Sequence, residues 1–475
     1  MHRTSINYDL SQDSEGVLQG YREAVREDIT FLGIKAYSEH PEVYRAAELL
    51  VNEYCRTRQR IKNKDKLPRD AKKLIASIWL HDGQFRFTTK EEYFSKGKRK
   101  QVWMTNRTLE LFNCARELDW IEIVAGAIPP YLAKNEIGFS TIYQATNKFK
   151  NLLNWLSIED ITVNPDLPCV LRKSEDDKVI EEPESFYQSD EYIRHQSLVQ
   201  SHLNRLREHQ TRWANGRLIP PSELLLTRQF TETFGKGGRW YCNFQNKPKS
   251  VRNSITIDGK PVGSLDITQC HPMLILRLFI GKQSEDGLFS QFNEDVYQVF
   301  GFEHLHRDIR KKAINALFNA NSEESAEKSI RNTHWWIDEI TGDLEIKTYK
   351  TKRIRKGQPI FDDTDEIRRF ISSFKLQHPD FAKVIGTGIG LKLQGFDSAI
   401  TTQVLKFAEI VKLPIIPIHE EYLVPEDKKY LIEEILRSSM RVVLMQAGQY
   451  GAIQAKWIDS KECKSKVVIN LSDES

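Results

Sequence analysis

Near the carboxy-terminal end of the chain, Ile418-His419-Glu420-Glu421-Tyr422-Leu423-Val424-Pro425 leaves the backbone few choices. The run before it, Val411 to Ile418, is largely β-branched and carries Pro414 and Pro417, while Tyr422-Leu423-Val424 is a short apolar strand that Pro425 ends. Proline cannot donate to a strand ladder, so such segments belong at a sheet edge or a strand end. The pattern predicts a tight strand-turn-strand presenting His419, Glu420 and Glu421, side chains able to hold divalent cations on a rigid support.

The hairpin belongs to a chain of 475 residues, long enough for about two to four domains. Its net charge of +3, from 69 basic and 66 acidic residues, requires any nucleic-acid surface to be a local groove rather than a global field. No apolar run approaches the roughly 20 residues of a membrane span, and Met1-His2-Arg3-Thr4-Ser5 leads into polar sequence without a signal-peptide core. A cytoplasmic protein with no membrane partner is expected. The six cysteines stand far apart without a Cys-x-x-Cys pair, which argues for reduced thiols and against structural zinc.

An α+β organisation follows from the patterning. Residues 1–65 read as a helical region, with helical periodicity from about 16 to 62 and a break at the basic stretch Arg56 to Lys66 before Pro68. Residues 66–165 suggest a winged-helix-like domain: a helix over Arg69–Leu80, a basic stretch from Lys90 to Lys100, a second helix over Arg107–Leu118 capped by Thr105-Asn106, and a strand at Trp120–Val124. Arg107 would then face a nucleic-acid groove. An amphipathic helix is expected over 136–156. Residues 166–225 read as a linker, beginning at Pro165-Asp166-Leu167-Pro168, followed by a long polar thumb-like helix from Ser189 to Trp213.

The half from 226 to 475 carries the chemistry. Gly238-Arg239-Trp240-Tyr241-Cys242-Asn243-Phe244-Gln245-Asn246-Lys247-Pro248 precedes Arg252, an Asp258-Gly259 hairpin turn, and Val262-Gly263-Ser264-Leu265-Asp266-Ile267-Thr268-Gln269-Cys270-His271-Pro272. Asp266 is an acid at a strand end, just before a helix, where a carboxylate can meet a cation. In Arg307-Asp308-Ile309-Arg310-Lys311-Lys312-Ala313-Ile314-Asn315-Ala316-Leu317, helical spacing puts cations on one face and Ile309, Ala313, Ala316 and Leu317 on the other. Such a face, in line with two acids, suits a triphosphate. The basic insertion from Asp343 to Asp363, with Lys347, Lys350, Lys352, Arg353, Arg355 and Lys356, reads as a strand pair or loop able to grip a phosphate backbone.

The order of these segments resembles the palm and fingers of family A DNA polymerases, the group that includes bacterial repair polymerase I. Asn243-Phe244-Gln245-Asn246-x-Pro248 resembles the family's Asn-Leu-Gln-Asn-Ile-Pro, and Asp266-x-Thr268-Gln269 its motif A. Lys312-Ala313-Ile314-Asn315 is similar to the core of motif B, and Leu393-Gln394-Gly395-x-x-Ser398-Ala399-Ile400 to the Ile-Gln-Gly helix. His419-Glu420-Glu421 stands where motif C has His-Asp-Glu, so the resemblance covers residues 235–440.

The resemblance implies a right-hand palm built on an antiparallel sheet, with helical fingers. Because no paired-acid exonuclease motif precedes it and the preceding region is short, no proofreading domain is expected, and a minimal polymerase of a mobile element, phage or antiviral defence locus is suggested. It implies a magnesium-dependent, two-metal nucleotidyltransferase, most simply a template-directed DNA polymerase acting on a DNA or RNA primer-template with nucleoside triphosphates. Asp266 and Glu420 would bind two magnesium ions, with manganese as a substitute, and His419 and Glu421 would support them. Lys312, with Arg307 or Arg310, would hold the triphosphate, and Gln269, His271 and Asn315 would complete the nucleotide site. Arg239, Asn243, Gln245, Asn246, Arg252 and Gln394 would contact the duplex.

Four positions depart from the pattern. Glu420 replaces an aspartate, Ala316 and Ala320 occupy aromatic positions of motif B, and His271 stands where DNA-polymerising members carry a glutamate that excludes the 2′-hydroxyl. The alternatives are therefore an RNA-synthesising or template-independent polymerase, and a non-catalytic nucleic-acid-binding protein with a degenerate palm.

Overall fold

A computed structural model describes residues 32–58, 61, 63–81, 84–87, 105–125, 141–164, 167, 169–174, 179–180, 182–247, 249–279, 295–337, 344–349, 357–446, 452–458 and 464–470. The basic stretch Lys90 to Lys100, and Lys350, Lys352, Arg353, Arg355 and Lys356, lie outside the described residues. The chain divides into two compact units, the first running to Leu167 and including Ile337, the second comprising the remaining described residues from Cys169.

The first unit contains β1 (Ala36–Tyr37), α1 (Pro41–Thr57), α2 (Leu67–Leu80), β2 (Gln84–Phe87), α3 (Asn106–Glu117), β3 (Ile121–Ala125), β4 (Thr141–Ala145), α4 (Asn147–Leu152) and β5 (Thr162–Val163). In α1, Val43, Ala46, Ala47, Leu50 and Tyr54 recur at helical spacing and are buried. A reciprocal cap starts α3, with the Thr105 backbone N–H donating to Thr108 Oγ1 at 3.1 Å. The antiparallel sheet runs β2-β4-β3, and its Phe85, Phe87 and Tyr143 share a core with Phe112 of α3. Within the expected 136–156 helix, residues 141–145 instead form a strand. Thr141-Ile142-Tyr143 carries β-branched and aromatic side chains that fit a sheet centre, and Thr146 then caps α4 by accepting from the Phe149 N–H at 3.3 Å.

The second unit is numbered without its single-turn helices: β6 (Val170–Lys173), α5 (Asp190–Arg207), β7 (Thr211–Arg212), β8 (Thr227–Thr231), β9 (Thr233–Tyr241), β10 (Thr256–Ile257), β11 (Lys260–Ile267), α6 (Cys270–Leu278), α7 (Arg307–Asn319) and α8 (Glu323–Arg331). There follow β12 (Thr333–Ile337), β13 (Leu344–Thr348), β14 (Gln358–Pro359), α9 (Thr364–Gln377), α10 (Gly390–Ile410), β15 (Ile416–Ile418), β16 (Glu421–Pro425), α11 (Lys429–Gln446), β17 (Ala452–Ile458) and β18 (Lys464–Asn470). Residues 169–225 pack within this unit, and β6 pairs in parallel with β8. Helix α5 is capped by Ser189, which accepts from the Tyr192 N–H at 3.3 Å. It stops before the expected Trp213 because Thr211 and Arg212 pair with β10.

The central element is β11. It pairs antiparallel with β10, β16 and β17, and β16 pairs onward with the short edge strand β15, which tolerates Pro417. The β10–β11 turn is Asp258-Gly259, with φ of 52° and 74°, the left-handed pair that two-residue hairpins favour. Buried Leu265 and Ile267 on β11, Tyr422, Leu423 and Val424 on β16, and Ile432, Leu436 and Met440 on α11 form the core of this layer. Helix α10 packs against both α11 and β9. A three-stranded sheet of order β13-β12-β14 includes part of the basic insertion.

Candidate functional site

The antiparallel ladder sets Asp266 directly across from Glu421 on β16, one residue after Glu420. Ile418 pairs with Glu421, so His419 and Glu420 form a two-residue turn, and His419 takes the positive φ of 57°. The Ile267 N–H donates to the Glu420 carbonyl at 3.3 Å, tying the turn to the end of β11. Beyond Ile267, Gln269 adopts a φ of 52°, and its side-chain oxygen accepts from the Val296 N–H at 2.8 Å as α6 begins.

Asp266 and Glu420 open into one cavity of about 390 Å³, within the usual range for a small-molecule site. Arg239, Gln269, His271 and Gln394 line it, and α7 contributes Arg307, Lys311, Lys312, Asn315, Ala316 and Asn319. Residues from five stretches of sequence therefore meet. Helix α7 presents this side because Ile309, Ala313, Ile314, Leu317 and Phe318 bury the other. Ala316 falls on the cavity side, correcting its expected place in the core.

Arg310 is also corrected. It is buried, and its guanidinium donates to the carbonyls of Tyr297, Phe302, Glu303 and Leu305 at 2.7 to 3.1 Å. That work fastens the preceding loop, and Arg310 does not line the cavity. Arg307 instead pairs with Asp295, its Nη2 donating to Oδ1 at 2.9 Å, and this bond raises the guanidinium pKa above its ordinary value despite burial. Arg307 and Lys311 both lie over the Tyr297 ring, at 5.0 and 5.8 Å from its centroid. Sequence gave no reason to place that ring here. Tyr297 lines the cavity, and burial raises its phenol pKa well above the usual value. Lys312 is exposed and has no carboxylate partner among the described residues.

A buried acid, Asp397 of α10, which the sequence motifs do not single out, contacts two of the cavity's lining residues, Arg239 and His271. Its Oδ2 accepts from Arg239 Nε at 2.8 Å and Nη2 at 2.5 Å, and His271 Nε2 is 3.0 Å away. The same nitrogen is 3.0 Å from Arg239 Nη2, which is itself a donor. An imidazole N–H facing the carboxylate is the stronger arrangement, because the acceptor is charged. Arg239 Nη2 also lies 3.9 Å from Glu420 Oε2. Burial alone would lower the Arg239 pKa, but Asp397 and then Glu420 hold it above its ordinary value.

Arg239 owes its place to the strand beneath it. Arg228 Nε donates to the Gly238 carbonyl at 2.8 Å and Nη2 to Ser398 Oγ at 3.0 Å, pinning β9 to α10. Gly238 has a φ of 90°, and a Cβ there would meet the Phe230 ring at 2.6 Å.

Several expected contacts lie apart from the cavity. Arg252 donates to the Gln245 carbonyl at 3.1 Å and to Glu421 at 3.4 Å, while Gln245 accepts from the Cys242 N–H at 3.4 Å. Asn243–Asn246 form a single 3₁₀ turn. His419 packs edge-on against Tyr241 with centroids 5.3 Å apart, and burial followed by the Arg239 charge lowers its pKa. In the first unit, Arg107 donates to Asp70 at 2.8 Å.

Asp266 and Glu420 fit a hard cation: both offer carboxylate oxygen at one cavity, and magnesium is commonly held by one or two carboxylates with water. Among the described residues no three His, Cys, Asp or Glu gather as a metal cluster, and no helix is long and apolar enough to cross a membrane.

No family model matches the chain, and no curated protein matches its sequence. Among solved structures, the chain is similar to one described as the POL domain of Pol1 from M. smegmatis in complex with DNA primer-template and dNTP, at 13% identity and a TM-score of 0.30. The match covers 57% of this chain and 54% of that one, so the chain spans about half of that protein's length.

Proposed function

We propose that the second unit is a nucleotidyltransferase of the family A polymerase type, adding nucleotides to a nucleic-acid 3′ end, most directly as a template-directed DNA polymerase. The observation that carries this reading is the single cavity in which Asp266 and Glu420 meet Arg307, Lys311 and Lys312. Carboxylates suit a cation and cations suit a triphosphate, so this charge pattern is complementary to a metal-bound nucleotide.

In this reading Lys312 and Lys311 hold the triphosphate, with Arg307 held at the cavity edge by Asp295. The primer 3′-hydroxyl gives up its proton to solvent as its oxygen attacks the α-phosphorus, the bond from that phosphorus to the α–β bridging oxygen breaks and pyrophosphate leaves. Magnesium held by Asp266 and Glu420 would supply the electrostatic stabilisation for the transferring phosphoryl group. Gln394 and Arg239 face the same cavity and are assigned to the primer-template. His271, held beside Asp397, is assigned to the sugar. For the first unit, the antiparallel β2-β4-β3 order beside α3 supports a winged-helix-like nucleic-acid-binding role.

Primer extension with deoxy- and ribonucleotides, with and without template, tests the assignment. Templated incorporation of deoxynucleotides that Asp266→Ala abolishes is the expected result. Incorporation without template, or of ribonucleotides alone, would favour the alternative polymerases. Duplex binding with no incorporation of any nucleotide would favour a degenerate palm.

A further inference from the structure

Resting on the assignment of Asp266 and Glu420 as cation ligands, we propose that Asp397 is a positioning residue: it holds Arg239 off Glu420 and so keeps the Glu420 carboxylate open to a divalent cation. Arg239 stands between two acids. Its Nη2 is 2.5 Å from Asp397 Oδ2 but 3.9 Å from Glu420 Oε2, so only the first contact has hydrogen-bond length. Asp397 prevails because Nε reaches the same oxygen at 2.8 Å and His271 Nε2 adds a third contact at 3.0 Å.

The arrangement is poised. The Arg239 side chain is only 18% exposed, and a guanidinium this buried needs a carboxylate partner. If Asp397 loses its charge, Glu420 is the acid already beside Arg239, and a movement of about 1 Å closes the gap to a hydrogen bond. Glu420 would then be neutralised by a tethered cation that competes with the divalent ion for the same oxygens. Asp397 lies on α10 and Glu420 on the β15–β16 turn, so the competition is set by how the helix and hairpin are placed around β9.

Direct manganese binding to the full chain, without nucleotide or nucleic acid and followed by the paramagnetic resonance of free Mn²⁺, tests this. Asp397→Asn is expected to weaken binding by about tenfold. Arg239→Gln should bind as tightly as wild type or tighter, and the double variant should match Arg239→Gln, since the competitor is gone. Asp397→Ala provides the same comparison should the asparagine variant not fold. Equal affinity in wild type and Asp397→Asn overturns the inference, as does a loss that persists in the double variant, which would mark Asp397 as structural only. Absence of wild-type binding overturns both the inference and the cation-ligand assignment. Wild-type binding that Asp266→Asn removes but Asp397→Asn leaves intact overturns the inference alone.

Discussion

Lys312 and Arg307 line the same cavity but differ in electrostatic freedom: Arg307 is paired with Asp295, whereas Lys312 meets no carboxylate among the described residues. A charge without an internal partner gains most from a phosphate. Lys312→Ala is therefore expected to raise the KM for nucleotide about tenfold or more, with duplex affinity changed less than about twofold. Steady-state kinetics beside a duplex titration would check it, and a loss confined to duplex binding would overturn the triphosphate assignment. Arg310 shows where sequence spacing misleads. It shares the α7 face of Ala313, Ile314 and Leu317, and burial turned its charge to capping carbonyls. Asp397 shows the converse. It lies in line with buried Leu393, Ile400 and Val404 on α10, and an acid on an apolar helical face is a readable signal of a buried partner.

At the scale of elements, the β15–β16 hairpin was legible because prolines and β-branched residues restrict the backbone locally, whatever the rest of the chain does. The strand at 141–145 was not, since its apolar spacing fits a helix as well, and the pairing of β4 between β2 and β3 decided it. The link between α9 and α10 depends on glycine. At Gly386, φ is 72° and a Cβ would stand 2.8 Å from the Glu323 backbone nitrogen, while its N–H donates to the Leu317 carbonyl at 3.2 Å. Backbone on both sides leaves no flexible atom to give way. Gly386→Ala should destabilise the second unit by about 1–3 kcal/mol in urea unfolding, and an unchanged midpoint would refute the packing argument.

Across the whole molecule, two units with separate cores make pH a useful probe of the second. His202 of α5 is buried, and burial pushes its pKa down to about 4. In the unfolded chain the imidazole protonates near its ordinary value of about 6.5, so the unfolded state binds the extra proton as pH falls from about 6.5 to 4. The histidine's contribution to folding is intact above that window and lost within it. The loss should be on the order of 3 kcal/mol by pH 4, and urea midpoints for His202→Leu should fall less over the same range. Equal slopes in the two proteins would overturn this. By itself the sequence determined the Asp266 strand, the His419-Glu420 turn, the Ile309, Ala313 and Leu317 stripe of α7 and the α+β character, because each follows from residue type and spacing within a few turns of chain. Only the tertiary structure decided that Asp266, Glu420 and the cations of α7 share one cavity, that Arg310 is withdrawn, and that Asp397 sits between His271 and Arg239. Those outcomes depend on which buried charges find partners from strands and helices distant in sequence, a competition that local propensity does not encode.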